Sequence, residues 1–368
     1  MVRHGDPYQR ECEATTKAVL AERPELPADK VITAYQSKFG PMPWLKPYLK
    51  NELMQLVELG KRNQEFLSDP SVIEMPAALW QPLLRGIILP TRSWRSATFY
   101  QDSWLPQGSP LIVYSQAICQ QVQAALPDWD VRLAMTYGQP DIGATLKAMV
   151  ADGCEKPIIL PLFPQYTQST HGGIHRQVEA TGLPHTFIDS FYDQPTYIHL
   201  LATKVWQSYQ AHHYDAVIFS YHSIPTAMVR HGDPYQRECE ATTKAVLAER
   251  PELPADKVIT AYQSKFGPMP WLKPYLKNEL MQLVELGKRN VLVVTPSFVV
   301  DCLETLEEDY VQNYQTFRAS GGDRFDLVPP MNKDTGFSQF LADLAIQKQE
   351  GHRFLNCNKT KYQFQISC

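Results

Sequence analysis

None of the seven cysteines sits in a Cys-x-x-Cys pair, so neither a zinc ribbon nor a thioredoxin-type motif is written into this chain. Their scatter suggests reduced thiols in a cytoplasmic protein rather than a disulfide scaffold. Cys357 and Cys368 are too few and too far apart to form a cluster site. Long apolar runs are equally scarce: charge or proline interrupts each before it could cross a bilayer, and no secretion signal is visible. A net charge of −4 offers no basic footprint, which argues against nucleic acid as a partner. What is present, 368 residues at 44% apolar content, suits two domains with ordinary cores.

Residues 1–63 recur without a single change as 228–290. Structural repeats have short periods and drifted copies, and several must stack before they are stable. One long perfect copy fits none of them. Identity without drift points to a recent duplication, a cloning scar or an assembly error in the gene sequence. Only the second copy has a sensible context, between two strand-like runs, so functional roles are assigned there.

From Gln64 onward short β-branched runs alternate with helical stretches, the pattern of a parallel sheet covered by helices. Strands are expected at 131–137, 157–163 and 185–189 in a first unit, and at 216–221, 258–262, 290–295 and 325–328 in a second. A helix over 198–211 links them. This is an α/β fold of two Rossmann-like, doubly wound lobes, 64–195 and 196–345, with a ligand cleft between facing strand ends. Residues 346–368 are polar, lack helical periodicity and read as a frayed, atypical tail. The stretch 75–90 is oddly apolar around Trp80; it is either a core helix or a greasy lip that admits an apolar ligand or touches a membrane surface.

The chemistry gathers at two strand ends. His222 follows the buried-looking run Ala216–Tyr221, and Asp301, Glu304, Glu307 and Glu308 follow the run Val291–Thr295. A helix from Asp301 to Gln312 would place Asp301, Glu304 and Glu308 on one face, where like charges repel unless a cation visits. An imidazole titrating near pH ~6.5 can take a proton or hold a metal at neutral pH. The competing readings are a histidine that only caps a strand end and carboxylates that only favour a helix N-terminus.

Six stretches carry a resemblance: Glu65–Pro70, Gly108–Leu111, Leu160–Tyr166, Phe219–Pro225, Tyr262–Leu272 and Asp301–Leu306. In that order they resemble ferrochelatase over about Glu65 to Ala345, the bacterial protoporphyrin type in particular. The resemblance implies a chelatase-like pair of four-stranded lobes and insertion of ferrous iron, as substrate, into protoporphyrin IX to give haem. It implies His222 and Glu304 as catalytic residues facing each other, with Asp301 and Glu308 alongside them on the metal path. Tyr137, Tyr166 and Trp271 would line the slot for the flat macrocycle, while Arg92 and Ser109 would hold propionates. His171 and His231 are read as bystanders. A cytoplasmic enzyme touching the inner membrane at its periphery is the expected setting.

The departures from the family matter as much. Ferrochelatases open with a strand, a turn and a helix that help wall the cleft, and here the first copy of the duplication stands in that place. Its Val31–Tyr35, Gly40-Pro41 and Trp44–Lys61 again spell strand, turn and helix, so the copy could imitate the lost element. Thr136 stands where many relatives carry arginine, and Gln168 where a cluster-bearing relative carries cysteine, so no iron–sulfur cluster is expected. Two other readings stay open: a coproporphyrin-using relative, and a tetrapyrrole- or haem-binding protein whose catalysis is impaired by the missing strand.

Overall fold

The run Ala216-Val217-Ile218-Phe219-Ser220-Tyr221 is apolar on both faces, and a strand so composed must be covered on both sides. In the computed structural model it is. The structure describes residues 64–65, 68, 80–82, 84, 105, 107–265, 269–302, 305–306, 311–353 and 362–367. The chain divides into two compact units, Met1–Asp102 and Ser103–Cys368. In the first, Trp80–Pro82 is helical, and Trp80 and Leu84 are buried, which favours the core reading for these two residues.

The second unit holds two four-stranded sheets, parallel throughout. The first sheet contains β1 (Trp129–Ala134), β2 (Ile158–Pro161) and β3 (Thr186–Phe187). The second contains β4 (Ala216–His222), β5 (Val258–Gln263), β6 (Asn290–Val294) and β7 (Arg324–Leu327), in the order β5-β4-β6-β7. Each overlaps a run that the sequence marks as a strand. Parallel neighbours need crossover connections, and helices supply them.

The alternation of side chains builds three apolar layers. Val217, Phe219 and Tyr221 of β4, Leu160 of β2 and Leu292 of β6 join one central core, and Ala216, Ile218 and Val293 pack on the far side of the second sheet. Ile159 and Ala134 pack on the far side of the first, beneath the helix Ile142–Ala151. Two helices run through the central core: Pro195–Ala211, with Tyr197, Leu201 and Val205 buried, and Thr335–Arg353, with Phe337, Phe340 and Leu341 buried. Each buried Leu, Val or Phe side chain contributes roughly 1.5–3 kcal/mol, so this layer dominates the fold's stability.

The tail departs from the sequence reading. The helix Thr335–Arg353 carries on well past Ala345, and residues 362–367 form an eighth strand, β8, in the order β1-β8-β2-β3. The tail has no helical period, but Tyr362-Gln363-Phe364-Gln365-Ile366-Ser367 alternates apolar and polar with period two, the pattern of a strand. The idea that the first copy of the duplication imitates a missing strand lies outside the described residues. Among the described residues no helix is long and apolar enough to cross a membrane.

Candidate functional site

His222, Asp301, Tyr137 and Tyr166 all lie at or just beyond the carboxyl end of a strand, where parallel sheets collect ligands. His222 closes β4. The six residues before it are buried and His222 itself is half-buried, so the strand carries the ring from the core to the edge. Its Nδ1 lies 2.7 Å from the Ser223 carbonyl oxygen. A carbonyl can only accept, so Nδ1 carries the hydrogen, and Nε2 of the neutral ring keeps its lone pair for a proton or a metal. The next residues hold the ring in place. Ser223 N–H donates to the Gln263 carbonyl at 2.8 Å, its hydroxyl donates to the Leu272 carbonyl at 3.2 Å, and Pro225 pairs with Trp271.

Trp271 is therefore tied to the His222 loop. It is half-buried, and its indole Nε1 is buried without a hydrogen-bond partner among the described residues. Gln263 Nε2 and Tyr262 Oη, at the end of the neighbouring strand, are buried and unpartnered in the same sense. Such orphaned groups cost free energy and mark places where a ligand or water completes the bonding.

Asp301 arrives after β6, half-buried, and burial raises its carboxyl above the usual range. Both oxygens are engaged: Asn332 Nδ2 donates to Oδ2 at 2.7 Å and the Thr305 hydroxyl to Oδ1 at 3.3 Å. Asp301 N–H returns a bond to Asn332 Oδ1 at 2.8 Å. The sequence reading put Asp301 on a helical face, but it precedes the helical turns, and residues 305–306 and 311–312 are wound with the wider π pitch. Its carboxylate is a tether between two loops before it is anything else. Glu304, Glu308 and Arg92 lie outside the described residues. Among the described residues no cluster of three or more imidazole, thiol or carboxylate groups could by itself hold a metal.

In the first sheet, Tyr137 follows β1 and Tyr166 follows β2, both half-buried. Gln177 Nε2 donates to the Thr136 carbonyl at 2.9 Å and fixes the approach to Tyr137. The Tyr166 ring stacks on His171, with centroids 4.8 Å apart. His171 is fully buried and burial drives its pKa down to about 3, so a neutral ring backs the tyrosine. The bystander histidine thus has a supporting role, whereas His231 is exposed. Ser109 occupies the N-cap of the sixteen-residue helix Pro110–Ala125. It makes no side-chain capping bond, and the helix end favours negative charge beside its hydroxyl.

The sequence reading missed the polar network that docks the Tyr166 loop onto the second copy of the duplicated segment. Tyr166 N–H donates to Glu238 Oε2 at 2.7 Å, and Thr167 Oγ1 and Gln168 N–H both donate to Asp233 Oδ2 at 2.8 Å. Gln165 Nε2 donates to the Thr242 hydroxyl at 3.0 Å, and Gln165 Oε1 accepts from Ser297 at 2.8 Å. Asp233 and Glu238 are visible in the sequence as the Asp-Pro and the acidic first turn of a helix start. That local reading conceals their long-range bonds.

The family model for ferrochelatase matches residues 63–349 and, separately, residues 1–64. The chain belongs to the ferrochelatase family. Coproporphyrin III ferrochelatase from Lacticaseibacillus casei (strain BL23) is 59% identical over 286 residues, 77% of this chain and 89% of that protein. The one from Limosilactobacillus reuteri (strain DSM 20016) is 53% identical over 285 residues, 77% of this chain and 91% of that protein. Ferrochelatase from Klebsiella pneumoniae (strain 342) is 39% identical over 288 residues, 76% and 90% of the two chains. SirB from Bacillus subtilis with Fe3+ aligns at a TM-score of 0.47 and 12% identity, over 67% of this chain and 94% of that one. As a ferrochelatase, the protein acts in haem biosynthesis and takes ferrous iron and a porphyrin as substrates. The second family match, over 1–64, is the duplicated segment seen again.

Proposed function

We propose that this ferrochelatase inserts ferrous iron into coproporphyrin III, and that protoporphyrin IX, the substrate first expected, is the poorer one. The observation that carries this is that the relatives at 59% and 53% identity are named for coproporphyrin III, whereas at 39–40% both names occur, ferrochelatase and coproporphyrin III ferrochelatase. A greasy lip around Trp80 would suit the less polar protoporphyrin, and the burial of Trp80 and Leu84 speaks against such a lip at these two residues. Coproporphyrin carries propionates where protoporphyrin carries vinyl groups, so its pocket must offer anion contacts in place of apolar ones. Ser109 at a helix N-terminus and Arg92 are the residues proposed for that contact.

Insertion breaks two pyrrole N–H bonds, forms bonds from iron to the ring nitrogens and releases two protons. His222 is the proposed acceptor, with Nε2 as the lone pair that takes a proton or first meets the metal. Glu304 is the proposed carboxylate opposite, and Glu308 and Asp301 the acidic approach. Asp301, bound by Asn332 and Thr305, contributes mainly by holding its loop. Tyr137, Tyr166 and Trp271 are proposed to flank the macrocycle.

The test is a fluorescence assay of zinc insertion on the purified chain, comparing the two porphyrins at matched concentrations. A higher kcat/KM for coproporphyrin III, by tenfold or more, is expected. Equal or better turnover of protoporphyrin IX overturns the substrate assignment. Porphyrin binding with no insertion of either would instead establish the impaired, binding-only reading that the altered N-terminal region raises.

A further inference from the structure

β8 is the last strand in the sequence, yet it lies inside the first sheet. It runs parallel to β1 over six residue pairs and parallel to β2 over four. β1 and β2 are not neighbours in the sheet. Without β8, each would present a row of unpaired amide and carbonyl groups to a gap one strand wide. Two parallel edges facing such a gap form a template for one extended segment, which main-chain bonds hold and side-chain alternation keeps in register.

We propose that the gap between β1 and β2 is a strand-acceptor slot, that residues 362–367 are its occupant, and that filling it sets the spacing of the loops bearing Tyr137 and Tyr166. The register agrees on both sides. Phe364 stands opposite Val131 and Ile158, and Ile366 opposite Leu133 and Leu160. A slip of one residue would move every side chain to the opposite face of the sheet. The flanking Val131, Leu133, Ile158 and Leu160 all belong to the central core, so the slot lies in the interior of the unit and not at a sheet margin. The occupant fits a central position: its six residues alternate with period two and include neither glycine nor proline.

The consequence for the site is geometric. β1 ends at Ala134, three residues before Tyr137, and β2 ends at Pro161, five before Tyr166. With β8 between them the two strands stand two spacings apart, about 9.5 Å; collapsed onto each other they would stand about 4.8 Å apart. The slot therefore acts on the width of the tyrosine-lined wall. This last step rests on the reading that Tyr137 and Tyr166 touch the porphyrin, whereas strand capture does not.

The experiment uses the full chain with Gln365→Pro, which removes an N–H from the middle of β8, and a labelled peptide of residues 360–367. The variant should melt below the wild type and bind the peptide at least tenfold more tightly than the wild type, whose slot is filled. A peptide with Phe364→Pro should not bind. The variant's KM for coproporphyrin III should rise severalfold and return on adding the peptide, with kcat little changed. An unaltered melt and no peptide capture would overturn the slot. Capture without any change in KM would overturn its link to the porphyrin wall. Should the variant fail to fold, hydrogen exchange of the wild type decides: 362–367 amides as slow as those of β2 support the slot, and complete exchange within seconds refutes it. No zinc insertion by the wild type, with peptide capture by the variant intact, would count against the proposed porphyrin chemistry alone.

Discussion

Glu238 offers the sharpest test of how the two sheets are joined at the site. It is 5% exposed, its Oε2 accepts the Tyr166 N–H at 2.7 Å, and burial raises its carboxyl above the usual carboxylate range. Glu238→Ala leaves that N–H without its acceptor, which costs about 2 kcal/mol. At the scale of a domain of 150–250 residues this lowers Tm by roughly 4–8 °C. Glu238→Gln keeps an oxygen acceptor in place and removes only the charge, so it should melt close to the wild type. The pH dependence then has a fixed sign. A carboxyl whose pKa is raised on folding contributes stability that is fully present below the unfolded value, near pH ~4.3, and is lost as pH climbs through the folded value. Relative to the wild type, Glu238→Gln should therefore fare better at pH 8 than at pH 4.5. Thermal melts of the three proteins at both pH values measure this. An Ala variant that melts with the wild type, or a Gln variant that loses ground as pH rises, would refute the idea that this carboxylate is a desolvated dock for the Tyr166 loop.

Other expected outcomes bear on separate parts of the molecule. His222→Ala should abolish zinc insertion while leaving the porphyrin Kd within about tenfold, ~1.4 kcal/mol, and normal turnover in that variant would exclude the imidazole from the chemistry. Asn332→Ala removes the partner of Asp301 and should cost about 2 kcal/mol, raising the KM for zinc with little effect on the KM for porphyrin. Metal-saturation curves check this, and an unchanged zinc KM would show that the loop held by Asp301 has no part in the path of the metal. Phe337→Ala empties a fully buried position between Phe191 and Phe340 and should cost about 3–5 kcal/mol in chemical unfolding.

Seven strands were legible because each falls in a short run rich in apolar or β-branched residues between helical stretches, the pattern of parallel strands covered on both faces. β4 is the plainest case: all of Ala216–Tyr221 is buried and the strand extends one residue further, to His222. β8 was not legible, although Tyr362–Ser367 alternates cleanly, because its place depends on partners more than 190 residues away at β2 and more than 220 at β1. Local pattern decides that a segment can be a strand; only the sheet decides where it goes. The site divides in the same way. His222 stands at an edge that its own strand predicts. The deviation of Asp301 from the expected helical face depends on Asn332, thirty-one residues on, which no period in the sequence reports.

The duplicated segment shows how far sequence identity falls short of functional identity. Asp233 and Glu238 of the second copy have the twins Asp6 and Glu11 in the first. The groups that the second copy binds, the Tyr166 and Gln168 amides and the Thr167 hydroxyl, occur once in the chain and already donate to Asp233 and Glu238. The same holds for β5, whose backbone pairs with β4 and supplies the carbonyl that fixes Ser223 beside His222. There is a single set of partners for two identical stretches, and the second copy, joined directly to β4 through 223–227, is the one that holds them. Its hold on the site therefore follows from chain connectivity, and a chain lacking residues 1–63 should keep the Asp233 and Glu238 contacts unaltered. Amide exchange at Tyr166 and Gln168 in that shortened chain is the measurement, and faster exchange there than in the full chain would show that the first copy takes part.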